Sequence, residues 1–340
     1  MLAITFWMAG PSTAAQAADP QLVKLRHQLA LYYFEPSSYM ALAKYFWQRG
    51  DRLLAFYILE YARHERLTRE EFDRAFSKAF GGDQTPNKQD FAVLDPAFEL
   101  ERRGSLDKAE ESYVKAAELS PRSMHVQTYV GRFFLKVRRN NQRALEYYLN
   151  AYFLNPHAVE TEFVEARIRS INYEEASFRY RLLNQQNTSL REILQDPNPT
   201  VLVLALMQVN KTWSPDYLDE VLKCMEHDEE HVRWLAMTAI SRHVDKSFDA
   251  TLQMLLEDKD LRKRGLAAYI AAHLWKQKSF PILRKMLSEQ SQLLRFDAIS
   301  ALAIEGASEG RRIIRAHRRS ESNRWLLRLI DKAIKEESSP

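Results

Sequence analysis

The stretch GSLDKAEESYVKAAELSP, residues 104–121, sets five residues at intervals that suit a tightly packed pair of helices. Gly104, Ala109, Tyr113, Ala116 and Pro121 are separated by 5, 4, 3 and 5 residues. Steps of three and four place Ala109, Tyr113 and Ala116 on one helical face. Glycine lets a preceding helix end in a left-handed turn. The alanines allow a neighbouring helix to approach, the aromatic fills the gap, and proline stops the second helix. The set returns as Ala144, Tyr148, Ala151 and Pro156, 35 residues on. There Gly131 takes the small-residue position on the first helix, and the extra residue falls in the basic turn VRRNNQ. Upstream, Gly50, Ala55, Leu59 and Ala62 keep the offsets, with Ala43 at the small position and Leu67 in place of proline. Composition agrees with helices. Only 9 of 340 residues are glycine, so tight hairpins are scarce, while the abundant Leu, Ala, Glu, Arg and Lys lose little rotamer freedom in a helix.

A second pattern begins near residue 188. The blocks starting at Val201, Val232, Leu261, Leu294 and Asn323 align as VLVLA, VRWLA, LRKRG, LRFDA and NRWLL, at steps of 31, 29, 33 and 29 residues. DPNP, HDEE, EDKD and SEQS precede the first four blocks as polar turns. Each block opens an apolar helix. Such helical pairs cannot bury their faces alone and must stack.

Residues 36–156 resemble three tetratricopeptide repeats, and residues 188–336 resemble HEAT-like repeats of the short bacterial kind. The departures are specific. The first and second tetratricopeptide-like units lie 54 residues apart where the family spacing is about 34. EFDRAFSKAFGGDQTPNKQDF lies between them with a loop at GGDQTPN, and Pro96 shortens the next helix. Residues 21–35 form an extra amphipathic helix, and residues 157–187, with Ala176 and Tyr180, read as a degenerate closing unit. In the second array, the first block lacks the arginine and the last lacks the opening aliphatic and the alanine.

The resemblance implies an all-α fold, a two-part α-solenoid with a tetratricopeptide-like domain over 19–187 and a HEAT-like domain over 188–336. It also implies a non-catalytic scaffold or adaptor that binds a protein partner in a concave groove. By register, the groove positions are Met40, Lys44 and Trp47, then Phe98 and Glu101, then Thr128 and Arg132. Apolar anchors beside both signs of charge suit a peptide-binding surface.

HDEEH, residues 227–231, has the spacing of an inverted zinc-protease motif, with Cys224 and His243 nearby. It occupies the same repeat position as DPNP, EDKD and SEQS. It therefore reads as the turn before a helix, where Asp228 or Glu229 caps free N–H groups. A helix boundary is expected between the two histidines, Cys224 is expected to be buried, and His243 closes the next helix. A metal-dependent hydrolase at 227–231 is the least favoured reading. The chain has no Gly-rich phosphate loop, no G-x-S-x-G and no C-x-x-C, and Glu110-Glu111 and Glu174-Glu175 read as solvated helix faces. The expectation is no enzyme, no catalytic residue, no cofactor, no metal ligand and no small-molecule substrate.

One cysteine excludes an intramolecular disulfide, and a net charge of +4 is slight for this length. The alternative partner is a polyanion or nucleic acid, held by Arg311, Arg312, Arg315, Arg318, Arg319 and Arg324 near the C-terminus. A soluble cap on the last repeat is the favoured explanation of those arginines. LAITFWMAG followed by Ala15-Gln16-Ala17 reads as a signal peptide over 1–18, although no Lys or Arg precedes the apolar run. That run is too short for a membrane span of about 20 residues, and no later stretch is a candidate. Export to the periplasm or beyond is the expectation, with a polar tail at 337–340.

Overall fold

The computed structural model describes residues 19–32, 34–80, 92–156, 161–304 and 308–335, and all regular structure among them is helical. The expected leader over 1–18, the GGDQTPN loop and the 337–340 tail lie outside the described residues. The first half runs α1 (Pro20–Leu31), α2 (Pro36–Gln48), α3 (Arg52–Tyr61) with a π turn (Ala62–Arg66), and α4 (Arg69–Phe80). It continues through α5 (Asp95–Arg102), α6 (Leu106–Leu119), α7 (Met124–Lys136), α8 (Asn141–Leu154) and α9 (Thr161–Gln185). The second half starts with α10 (Leu190–Ile193), α11 (Pro199–Val209), α12 (Leu218–Cys224), α13 (Glu230–His243) and α14 (Asp249–Leu256). It ends with α15 (Leu261–Trp275), α16 (Phe280–Leu287), α17 (Gln292–Ile304), α18 (Ser308–His317) and α19 (Arg324–Lys335).

Helix starts follow local chemistry. Asp51, Ser123, Asn140, Asn198, Glu229 and Asp260 each accept a hydrogen bond from a free backbone N–H in the first turn. Pro20, Pro36 and Pro199 open their helices, where a missing N–H costs nothing. α2 packs on α3, α5 on α6 and α7 on α8, and the spaced alanines at 43, 55, 62, 109, 116, 144 and 151 are all buried in these contacts. A Cβ on Gly131 would lie 3.2 Å from the Tyr148 ring, which is why that position is small. Gly50 and Gly104 leave their helices at φ +84° and +74°, and Arg139, at the same place in the third unit, adopts φ +51°. An L side chain is strained there.

Residues 157–187 are the stretch read from the sequence as a degenerate closing unit. Their described part is one helix of 25 residues, α9. Its buried side packs on α8 and on α11, joining the halves. Beyond it, α11, α13, α15, α17 and α19 pack each on the next, with α12, α14, α16 and α18 against them. The repeated arginine has a geometric role. Arg233 donates to the carbonyls of His227 and Asp228 at 2.6 and 2.9 Å, and Arg295 donates to those of Glu289 and Gln290, both at 2.8 Å. In each case the guanidinium holds the preceding polar turn against its own helix.

The first helix closes the molecule. Leu22, Leu25 and Leu29 of α1 pack on the N-terminal core, whereas Ala30 belongs to the C-terminal core. Arg26 grips Asp228 with two hydrogen bonds of 2.9 and 2.8 Å, and Arg262 adds a third at 3.0 Å. The Asp228 side chain is 1% exposed. Burial pushes its carboxyl up, but Arg262 and Arg26 outweigh burial and hold it below the usual carboxylate range. Further along the seam, Ser291 donates to the Ala30 carbonyl at 2.9 Å, and Phe34 stacks on Trp325. Arg66 lies over Tyr61 and Phe296 and 3.7 Å from Glu230. What remains between the halves is a cavity of about 50 Å³ edged by Tyr39, Tyr57, Trp234, Arg262 and Asp297, enough for a few waters.

Two stability outcomes follow from these contacts. Arg26→Met is expected to cost about 3 kcal/mol in chemical denaturation, because one partner of a buried pair is lost. The depressed Asp228 pKa makes its contribution full above the unfolded value near 4, and the wild-type advantage shrinks as pH falls below it. An unchanged midpoint at neutral pH would refute the clasp. Arg139→Gly is expected to raise stability by about 1 kcal/mol by removing left-handed strain, provided the turn keeps its shape.

Candidate partner-binding groove

The groove lies between α5, α6 and α7. Phe98 of α5 meets Tyr113 of α6 edge-on at 6.0 Å between ring centroids, and Tyr129 of α7 at 5.4 Å. Tyr113 leans on Phe133 at 4.4 Å, so the floor is a continuous run of aromatic rings. The Tyr113 hydroxyl donates to the Glu101 carboxylate. Burial, then that carboxylate, pushes the phenol far up, so it stays a donor at any physiological pH. The cavity above is about 390 Å³, with Arg102, Arg132 and Lys136 as its cations and Glu101 as its one acid. Arg102 is already held by Glu99 at 2.9 Å. Arg132 and Lys136 sit one helical turn apart on α7 with exposed side chains.

Of the seven positions placed by register, Phe98, Glu101 and Arg132 meet in this cavity. The other four are elsewhere. Met40 is 3% exposed and packed in the core. Trp47 rests on Phe153 at 4.0 Å, with the Arg52 guanidinium 4.4 Å from its ring centroid. Thr128 is half-buried and Lys44 is exposed on α2. Tyr129 and Lys136 were not singled out from the sequence. Lys136 follows Arg132 by four residues, so the shared helical face was the available signal.

The HDEEH turn has its polar groups engaged structurally. α12 ends at Cys224 and α13 begins at Glu230, which places a helix boundary between the two histidines. Glu229 caps α13 through the Val232 N–H at 2.9 Å and meets His231 Nδ1 at 2.8 Å. That hydrogen bond raises His231, whereas burial lowers His227, whose Nδ1 accepts the Glu229 N–H at 2.9 Å. Asp228 is committed to the clasp. Burial pushes the Cys224 thiol up to about 12, so it is no thiolate. His243 closes α13, stacks on Trp213 and contacts the Asn210 carbonyl at 3.1 Å.

Several of the C-terminal arginines hold carboxylates. Arg312 pairs with Glu309 at 2.7 Å, Arg318 with Asp331 at 2.7 Å, and Arg324 with Glu71 of α4. Arg311, Arg315 and Arg319 lie on α18 or just after it. No helix among the described residues is long and apolar enough to cross a membrane. No protein-family model and no curated protein matches the chain.

Proposed function

We propose that this chain is a non-catalytic scaffold or adaptor that binds a protein segment in the groove over Phe98 and Tyr129. Its architecture is read as an α-solenoid, tetratricopeptide-like over 36–156 and HEAT-like over 188–336. The observation that carries this reading is the convergence of Phe98, Glu101 and Arg132 on one aromatic-floored cavity of about 390 Å³. Aromatic rings offer large rigid contact area, and arginine is among the commonest binding hot spots. With Arg102 engaged by Glu99, Arg132 and Lys136 against Glu101 favour an acidic partner segment with an apolar side chain for the floor. The groove offers no nucleophile–base pair, and its one strongly shifted group, Tyr113, is fixed as a donor to Glu101.

Export is part of the proposal. Cleavage near Ala17 or Ala18 would leave Asp19 in place, and Asp19 caps α1 and accepts a hydrogen bond from Tyr45 at 2.8 Å. Mass spectrometry of native material is expected to find a mature N-terminus at Ala18 or Asp19 outside the cytoplasm. An intact Met1 in the cytosolic fraction would overturn export.

The groove is tested by Arg132→Glu combined with Lys136→Glu. Helicity and melting temperature are expected to stay nearly unchanged, since exposed charges contribute at most about 1 kcal/mol each. Affinity for a partner isolated with the wild-type chain is expected to fall about 30-fold, some 2 kcal/mol, as a like-charge clash replaces an attraction. Unchanged affinity in the folded double variant would remove this groove as the contact surface.

A further inference from the structure

Away from the groove, the end of α3 and the first turns of α9 bring together one imidazole and two carboxylates. Glu60 is the penultimate residue of α3, His64 follows one turn later in the π turn, and Glu165 comes from α9. Their ligand atoms all lie within 4.8 Å of one another. Glu60 and Glu165 are 2% and 8% exposed, and His64 opens to solvent. Two such carboxylates need positive charge between them.

At present a side chain supplies it. The Arg63 Nη2 lies 3.1 Å from Glu60 Oε1 and 2.8 Å from His64 Nε2, and it also bonds Glu165. One cationic nitrogen is therefore addressed by all three donor residues. The other terminal nitrogen of Arg63 donates to the Pro156 carbonyl at 2.7 Å, which keeps the guanidinium anchored if Nη2 withdraws. Around this set, the Tyr152 hydroxyl donates to Glu60 Oε1 at 2.8 Å, and Arg169 to Glu60 Oε2 at 3.1 Å. Outer hydrogen bonds of this kind orient metal-binding carboxylates. Arg63 and Arg169 together balance the two carboxylates, and a dication standing where Arg63 Nη2 now sits replaces the Arg63 charge. Two oxygens with one imidazole suit zinc, manganese or ferrous iron.

We infer that Glu60, His64 and Glu165 form the ligand set of a divalent first-row transition-metal site, with Arg63 as the competing cation. A bound ion ties the π turn to α9 and so fixes the first helix pairs against the helix that joins the two halves.

The test is calorimetric titration of the full chain with zinc chloride in a non-coordinating buffer at neutral pH. The wild-type chain is expected to take up one zinc. Glu165→Gln, which keeps the shape, is expected to weaken uptake at least tenfold, since loss of an outer-shell partner alone costs about 10–100-fold. Arg63→Met is expected to bind at least tenfold more tightly. The His227→Ala/His231→Ala variant serves as control and is expected to bind like wild type. A wild-type chain that takes up no zinc overturns the site, as does zinc lost in the control but kept in Glu165→Gln. An Arg63→Met affinity no higher than wild type removes Arg63 as the competitor. If circular dichroism shows that Arg63→Met does not fold, wild type against Glu165→Gln decides.

Discussion

The buried carboxylate of Asp228 constrains the whole chain. A charge that is 1% exposed is tolerated only when paired and hydrogen-bonded. Its partners come from α1 and α15, separated from it by 202 and 34 residues. Satisfying Asp228 therefore requires the first helix to reach the inner C-terminal helices. Once it does, Leu22 and Leu29 face one core and Ala30 the other. A local stacking array would have two independent ends. Here the first described helix, α1, is packed into the second half, so opening that half exposes an unpaired acid as well as apolar surface.

The same seam explains a glycine. Gly265 faces Asp297 so closely that a Cβ would sit 1.9 Å from Oδ2. Burial pushes the Asp297 carboxyl up to about 8, so it is largely protonated at neutral pH and avoids an uncompensated charge. The alanine that ends the aligned blocks at 205, 236 and 298 would clash in this block. The sequence LRKRG is thus a response to a neighbour on α17.

Short-range periodicity made the helices readable, because Ala, Tyr and Gly spacings report directly on how closely two neighbouring helices approach. Gly104 at φ +74° and the buried Ala109 and Ala116 were legible for that reason. The polar turns were legible through their repetition, although which acid in HDEEH caps the helix was open, and Glu229 takes that place. What periodicity could not reveal was long-range pairing. Nothing near Arg26 marks it as the partner of Asp228, and nothing in RLLAFYILEY marks Glu60 as one of a pair with Glu165. A lone acid on an otherwise apolar helix face was the faint signal. In α9, one long helix stands where the sequence reads as a degenerate closing unit, and its buried positions Val164, Ile168, Ile171 and Ala176 keep helical spacing along one face.

The placement of the groove follows from what the seam uses up. The starts of α13, α15 and α17 give Trp234, Leu266, Leu293 and Phe296 to the contact with α1 and α3, so much of that inner surface is already covered. Met40 and Trp47 are likewise spent on packing near the first pair. The rings of Phe98 and Tyr129 lie on α5 and α7, which contribute nothing to the seam cavity. Their neighbours Arg132 and Lys136 bear charge that the core does not need. A surface of this kind can change with its partner while the clasp stays fixed, which separates the residues that hold the fold from those proposed to recognise something outside it.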